Sequence, residues 1–264
     1  MRLIIIILTL SSFTYAHDLR VITFNIGMGV LFKSPLTYRI KSVFKHDRRL
    51  KNFHIIGLQE SCNNHRGPIE LFKNILIEKF GNAYEVFVPA NPDSTEKCFK
   101  GQTILSAYPI INHGGIQLPR VGALRSTTWA DIDVNGKTVR VYNLHLSNRQ
   151  GKNYIPISGR WKQGRIVLDH LVTNQYHNPD VAHIALGDFN SLNKLWNPWS
   201  WELTIRNFAE YLTPTIRRYY PTMVLPYKTD WIFYDSHLKL RRSRIIPKIF
   251  SDHLPVVADF DFKN

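Results

Sequence analysis

The feature of this chain that most limits its fold is a recurring pair: a short apolar run, then a carboxylate, carboxamide or imidazole at its end. Leu19 to Asn25 (LRVITFN) closes on Asn25, and His54 to Glu60 (HIIGLQE) closes on Glu60. Thr138 to Leu146 carries His145 near its end, and Val181 to Asp188 is followed by Asn190. Asp230 precedes the run Trp231 to Tyr234, and Ser251-Asp252-His253 precedes Leu254 to Phe262. Runs of this length and composition are strands. In the last, Val256, Ala258, Phe260 and Phe262 alternate with Val257, Asp259 and Asp261, the period of a half-buried strand. Polar residues at the ends of strands can converge on one rim of a sheet sandwich.

Further elements lie between these runs. Tyr38 to Phe53 spaces Ile40, Val43, Phe44 and Leu50 among basic residues, which predicts an amphipathic helix. Pro68 opens another, with Ile69, Phe72, Ile75, Leu76 and Phe80 on one face and Gly81 as the stop. Tyr84 to Val88 and Thr103 to Tyr108 read as strands. Arg125 to Val134 and Thr138 to Leu146 flank Asn135-Gly136, a pair that accepts the positive φ angles of a tight hairpin. Ser158 to Tyr176 reads as a helix with Trp161, Leu168, Leu171 and Val172 inward. Many strands, several helices and a hairpin favour mixed α/β with largely antiparallel pairing, a layered sandwich over a doubly wound parallel sheet. The 264 residues, 44% hydrophobic and without repeats, suit one large domain with a sizeable core.

Residues 1–16 stand apart. Arg2, the aliphatic stretch from Leu3 to Leu10 and the small Ala16 have the form of a secretory signal peptide, with a buried first strand or an uncleaved anchor as the alternatives. Cleavage after Ala16 leaves a domain over residues 17–264 in a secreted or periplasmic setting. There Cys62 and Cys98, both in polar segments, are expected to form a disulfide, two buried thiols being the other reading. The formal net charge of +14 favours polyanionic partners: nucleic acid, anionic headgroups or other phosphorylated substrates. Oxygen-rich strand ends suit a hard ion such as Mg²⁺ or Mn²⁺, and no Cys/His spacing suggests structural zinc.

Six segments in order carry a resemblance. Thr23-Phe24-Asn25, Leu58-Gln59-Glu60 and Asn143-Leu144-His145-Leu146 come first; Gly187-Asp188-Phe189-Asn190, Thr229-Asp230-Trp231-Ile232-Phe233 and Ser251-Asp252-His253-Leu254-Pro255-Val256 follow. Together they resemble the successive motifs of the endonuclease/exonuclease/phosphatase superfamily, metal-dependent phosphoesterases that include pancreatic-type deoxyribonucleases, abasic-site endonucleases and sphingomyelinases. The likeness runs from about Val21 to Phe262, and Gln102 to Ile111 also resembles a family strand. It implies a four-layer α/β-sandwich, two mainly antiparallel sheets flanked by helices.

It also implies roles. Glu60 is the chief metal ligand, with Asn25 and Asp252, for Mg²⁺ or Mn²⁺. Asp188 orients or deprotonates the attacking water, and Asn190 hydrogen-bonds a phosphate oxygen. His253 contacts the phosphate or relays a proton, with Asp230 fixing its tautomer; His145 is the second imidazole. Arg125 is either a phosphate-binding arginine or an ordinary exposed one. The deoxyribonuclease pattern departs at one point: where those enzymes pair the first imidazole with a glutamate, this chain has Gly101 or Gln102, and Glu96 lies upstream. Trp196, Trp199 and Trp201 pack in a core, stack on bases or enter a lipid interface. Arg241, Arg242, Arg244 and Lys248 are a solvated face or a contact for phosphates. The expected activity is a nuclease acting as a monomer. A sphingomyelinase-type phosphodiesterase or an inositol or phospholipid phosphatase, with membrane-lipid contact, is the alternative, and an inert binding module the third.

Overall fold

The computed structural model describes residues 19–27, 42–43, 47–62, 67–91, 100–121, 123–148, 157–193, 202–216, 220–224, 227–247 and 251–263. The proposed signal peptide, Glu96, Cys98, Lys248 and the three tryptophans at 196, 199 and 201 lie outside the described residues.

Two six-stranded sheets form the centre. In the first, β1 (Leu19–Asn25) pairs in parallel with β2 (Ile55–Cys62), and β2 is followed outward by β4 (Lys100–Ser106) and β3 (Tyr84–Pro89). On its other side β1 pairs with β12 (Val256–Phe262), and β12 with the edge strand β11 (Leu238–Ile245). In the second sheet β7 (Lys137–His145) pairs in parallel with β8 (Ala182–Asn193), followed by β10 (Lys228–Tyr234) and β9 (Thr213–Pro214). Its other side is β6 (Ala123–Val134) and the edge strand β5 (Ile110–Val121). All pairings but the two parallel ones are antiparallel, as expected.

The strand period of two sorts the side chains into layers. Val21, Ile55, Ile104, Val139, Val141, Ile184, Ile232, Ala258 and Phe260 meet between the sheets. Ile22, Phe24, Ile56 and Leu58 face the other way, onto Ile69, Phe72 and Leu76 of α2 (Gly67–Phe80). Tyr142, Leu144, Ala185 and Phe233 face Val167, Leu168 and Leu171 of α3 (Ile157–His177) and Ile205 and Phe208 of α4 (Leu203–Tyr211). Helices, sheet, sheet, helices is the expected four-layer sandwich.

The hairpin forms as the Asn-Gly pair predicts: Val134 opposes Lys137, and Asn135 and Gly136 adopt φ of 54° and 86°. Residues 38–53 give less than one continuous helix within the described residues. Ser42 and Val43 are helical, and α1 (Arg48–Lys51) starts where the Asp47 side chain accepts from the Arg49 amide. Leu50 and Phe53 are nonetheless fully buried. Cys62 sits buried at the end of β2, not in a loop, and is disulfide-bonded; no described cysteine is free. Trp161 is only partly buried, and Val167 takes the inward place beside Leu168 and Leu171. Among the described residues no helix is long and apolar enough to cross a membrane.

Candidate active site

The two parallel pairs decide where the chemistry gathers. Strands that run the same way end at the same edge, so Asn25 and Glu60 reach one rim of the first sheet. His145 and Asp188, opposite each other in the register of β7 and β8, reach the rim of the second. The sheets face each other there: Asn25 Nδ2 donates to Asp188 Oδ2 at 3.0 Å, and His145 Nε2 lies 3.9 Å from Glu60 Oε1. The antiparallel partners bring their beginnings to this rim. Asp230 opposes Asp188 across β8 and β10, and His253 comes just before β12.

Two backbone irregularities aim the side chains. Register shifts between Gln59 and Ser61, a bulge that puts Glu60 at φ 54°. Simple alternation would turn Glu60 towards α2 with Ile56 and Leu58, and a bulge re-aims such a residue. Asn190 has φ 49° in β8. A left-handed non-glycine residue costs on the order of 1–3 kcal/mol, and such residues cluster at functional sites. Gly187, at φ 141°, lies so close to β7 that a Cβ would strike the Leu144 carbonyl. Only glycine lets β8 approach there and set Asp188 beside His145.

Beneath the rim lies a buried polar layer. Gln59 Nε2 donates to Thr23 Oγ1 at 3.0 Å and to Asn143 Oδ1 at 2.6 Å, and Asn143 Nδ2 donates to the carbonyls of Leu58 and Thr103. Ser126 Oγ donates to Gln102 Oε1 at 2.6 Å. Gln102 thus belongs to this layer, where the deoxyribonuclease pattern would place an acid. The carboxylates within 4 Å of His145 among the described residues are Asp188, at 3.5 Å, and Glu60.

Asp188 is fully buried and accepts from Asn25, from the Asn190 amide at 2.9 Å and from Asn190 Nδ2 at 3.2 Å. Burial pushes its carboxyl above the ordinary range, opposed by the His253 charge and these hydrogen bonds. Asn190 Nδ2 also donates to the Leu146 carbonyl at 2.9 Å. Both of its hydrogens are committed, so it holds Asp188, which departs from the expected contact of this amide with a phosphate oxygen. His253 Nδ1 lies 2.8 Å from Asp230 Oδ2, and its Nε2 3.7 Å from Asp188 Oδ2. Burial pulls the imidazole down, but Asp230 and Asp188 override it and hold it well above its usual value, as a cation. His145 is the opposite case: burial first, then Arg125, His253 and Lys100, keep it neutral. Arg125 is 7% exposed, not an ordinary surface arginine. Burial depresses its guanidinium while Glu60 and Asp188 support the charge, and its Nε has no hydrogen-bond partner.

Asp188, Asp230 and His253 offer one ligand atom each within 4.8 Å of one another and could hold a metal ion. Their lone pairs are largely spoken for: Asp188 by the amides above, Asp230 by His253 and the Thr229 hydroxyl. Glu60 is different. Its side chain is 26% exposed at the rim, and no hydrogen-bond donor meets its carboxylate among the described residues. That open carboxylate, the Asn25 amide oxygen and Asp252 supply the oxygen chemistry that a hard divalent ion requires. Asn25 Oδ1 accepts from the Gly27 amide and Asp252 Oδ1 from Ser251 Oγ, which orients both.

Sequence reasoning missed several supports. Thr222 Oγ1 accepts from the amides of Thr229 and Asp230, and Lys228, 1% exposed, lies with its ammonium 3.5 Å from the Trp231 ring centroid. Burial lowers that ammonium to about 7. Only their closeness in sequence to the Thr229-Asp230 motif hinted at Thr222 and Lys228.

Comparison with known proteins bears on this rim. The sequence profile described as "Endonuclease/Exonuclease/phosphatase family" matches residues 22–253. No curated protein matches the sequence. Among solved structures, an endonuclease/exonuclease/phosphatase from Beutenbergia cavernae is similar at 23% identity and TM-score 0.71, over 94% of this chain and 72% of that one. The human Nocturnin catalytic domain is similar at 21% identity and TM-score 0.70, over 93% and 94% of the two chains. Sphingomyelinase C from Streptomyces griseocarneus is similar at 16% identity and TM-score 0.68, over 92% and 99%. At these identities the structures speak for the fold alone, but the profile spans the first five motifs and the Ser251-Asp252-His253 opening of the sixth, and the chain belongs to the endonuclease/exonuclease/phosphatase family, a phosphoesterase of a kind generally dependent on divalent metal.

Proposed function

We propose that this phosphoesterase is an exported, Mg²⁺- or Mn²⁺-dependent nuclease that hydrolyses phosphodiester bonds. The observation that carries the reading is the junction of the sheets: a buried carboxylate, Asp188, oriented by Asn25 and Asn190, with the cationic His253 imidazole 3.7 Å away. The formal charge of +14 favours a polyanionic substrate.

The residues divide the reaction between them. Asp188, raised by burial, takes a proton from water as the water oxygen bonds phosphorus. Asn25 and Asn190 keep its oxygens in place. The His253 imidazolium, fixed through Nδ1 by Asp230, offsets charge on the phosphoryl oxygens and relays a proton to the leaving oxygen as its bond to phosphorus breaks. Neutral His145 donates a hydrogen bond to the phosphate, and the free Nε of Arg125 gives a second cationic contact. Glu60, Asn25 and Asp252 would hold the divalent ion, which supplies further neutralisation of phosphate charge.

A second reading, a sphingomyelinase-type phosphodiesterase, is favoured by one observation. Tyr220, Val224 and Tyr227 are exposed on the segment whose Val224 amide donates to the Asp252 carbonyl, an apolar ledge beside the rim. A panel of plasmid DNA, RNA, sphingomyelin and inositol phosphates, each with Mg²⁺ and with chelator, tests both. Cleavage of nucleic acid that stops in chelator is expected. Cleavage of sphingomyelin or inositol phosphate alone overturns the nuclease reading, and full activity in chelator overturns the metal.

A further inference from the structure

The basic run before the last motif does not stand as a block in three dimensions. Arg241 turns to Asp261, at 3.6 Å. Arg242 and Arg244 instead join two arginines distant in sequence, on the outer face of the first sheet beyond the cover of α2. Arg20 of β1 opposes Asp259 of β12, and Asp259 opposes Arg242 of β11. Arg20 Nε donates to Asp259 Oδ1 at 2.6 Å, and Arg244 Nη2 donates to Asp259 Oδ2. Arg49 of α1 is close enough, with Arg20 and Arg242, to oppose the charge on Arg244, and is itself bound to Asp47.

Four guanidiniums therefore answer to two carboxylates. Asp259 holds Arg20 and Arg244 rigid, their side chains 22% and 15% exposed, while Arg242 and Arg49 stand open to solvent. Arg244 Nε is buried without a hydrogen-bond partner, an unfilled donor inside a positive patch. The forks of Arg20 and Arg49 are filled by Asp259 and Asp47, which fixes these guanidiniums in place, so that little conformational entropy remains to be lost when their remaining N–H groups and those of Arg242 meet phosphate oxygens.

Two occupants carry phosphates on this scale, a nucleic-acid strand and an anionic membrane. Membrane-surface binding combines charge with an apolar wedge. Among the described residues no large exposed hydrophobic lies on β1, β11, β12 or α1; those that are exposed lie on other elements or on the connection that carries Tyr220, Val224 and Tyr227. The face is charge without an anchor, which suits a sugar-phosphate backbone. Arg20 lies five residues along β1 from Asn25, about 17 Å at the rise of a strand. The path from rim to patch turns onto another face of the sheet, which a stiff duplex resists and a single strand follows.

We propose that Arg20, Arg49, Arg242 and Arg244 form a second phosphate-binding face that docks a single nucleic-acid strand continuing from the catalytic rim. The identity of the strand rests on the nuclease reading; the phosphate chemistry does not. The test is binding of labelled single-stranded DNA to the full chain in chelator, by fluorescence anisotropy across a salt series, for wild type, the Arg49→Gln/Arg242→Gln double variant and Arg242→Glu. Both altered residues are exposed, and hydrolysis of a small chromogenic phosphodiester with metal reports that each variant is folded and competent.

Wild type is expected to bind long strands with a steep log–log salt slope, and the double variant to lose about 0.7 of slope per contact removed. Oligonucleotides too short to reach from rim to patch should bind both proteins alike. An unchanged slope with long strands, or no strand binding at all, overturns the docking face while leaving the nuclease reading to the substrate panel. Weakened binding to phosphatidylserine vesicles with strand binding intact overturns the strand in favour of a membrane.

Discussion

In the first sheet the chain runs β1–α1–β2–α2–β3–β4, and in the second β7–α3–β8–α4–β9–β10. Each stretch opens with a parallel pair, and each sheet is completed by two further antiparallel strands on the side of the first member. The connectivity is the same; the residues delivered are not. The first sheet brings Asn25 and Glu60 to the rim, neutral and anionic oxygen donors, with Glu60 open. The second brings His145, Asp188 and Asp230, buried groups, and its two carboxylates meet the His253 cation that comes just before β12. The difference teaches that the topology chooses the place and the side chains divide the labour: Glu60 of the first sheet is suited to holding an ion, and the carboxylates of the second, with His253 from just before β12, to moving a proton.

The sharpest test is on the proton-moving pair, Asp188 of the second sheet and His253, which comes just before β12. Asp188→Asn keeps the size and one accepting oxygen but removes the base, and His253→Asn removes the cation. Each should cost about 10²–10⁴-fold in turnover. Because the groups meet at one phosphate, the double variant should lose far less than the product of the single losses. Asp188→Asn should leave the melting temperature nearly unchanged, whereas His253→Asn should lower it, since Asp230 is left buried without its countercharge. Turnover and thermal melting check both, and multiplicative losses would mean that the two residues act apart.

A smaller effect separates the sheets. Glu60→Gln should weaken Mg²⁺ or Mn²⁺ binding, read by titration calorimetry, by about 10–100-fold or more, whereas Asp188→Asn should change it less. If the order is reversed, the ion sits on the Asp188, Asp230 and His253 group and the division between the sheets is wrong.

A further test, on stability and not on the site, contrasts two histidines. His253 at the rim is held up by two carboxylates. His54, at the start of β2, lies between the rings of Phe80 and Tyr108, its Nδ1 accepting from the Arg20 amide. Burial, then the Arg20 charge, lowers it to about 4, with Asp259 opposing. A histidine depressed in the folded state takes up its proton more readily when unfolded. Stability should therefore be lost as pH falls from about 6.5 to about 4, by on the order of 3 kcal/mol, and change no further from this group below that. His54→Gln keeps an acceptor and should flatten this part of a denaturant-measured stability profile.

Much of this was legible in the chain because it is local. Short apolar runs gave nearly every inner strand, Asn135-Gly136 gave the hairpin, and the helix of Gly67–Phe80 followed from Pro68, its apolar spacing and Gly81. Three edge strands escaped, the two-residue β9 among them. β5 mixes Gly114, Gly115 and mostly exposed residues, and β11 reads as a run of arginines; an edge strand pairs on one side only and carries a weaker apolar signal. α4 escaped as well, nine residues without an acidic first turn or a side-chain cap.

By itself the sequence determined the strand ends that carry the chemistry, the oxygen-rich character of the candidate ion site and the family pattern, because each is written in residue type and order. The tertiary structure decided the rest. It turned Glu60 towards the rim through a bulge, made Asn190 a support for Asp188, and made Arg125 a buried cation. It set one histidine positive and its neighbour neutral, and drew Arg20 and Arg49 to Arg242 and Arg244. These depend on which groups lie within a few ångströms and how much water is excluded from them, and neither quantity exists until the two sheets close on each other.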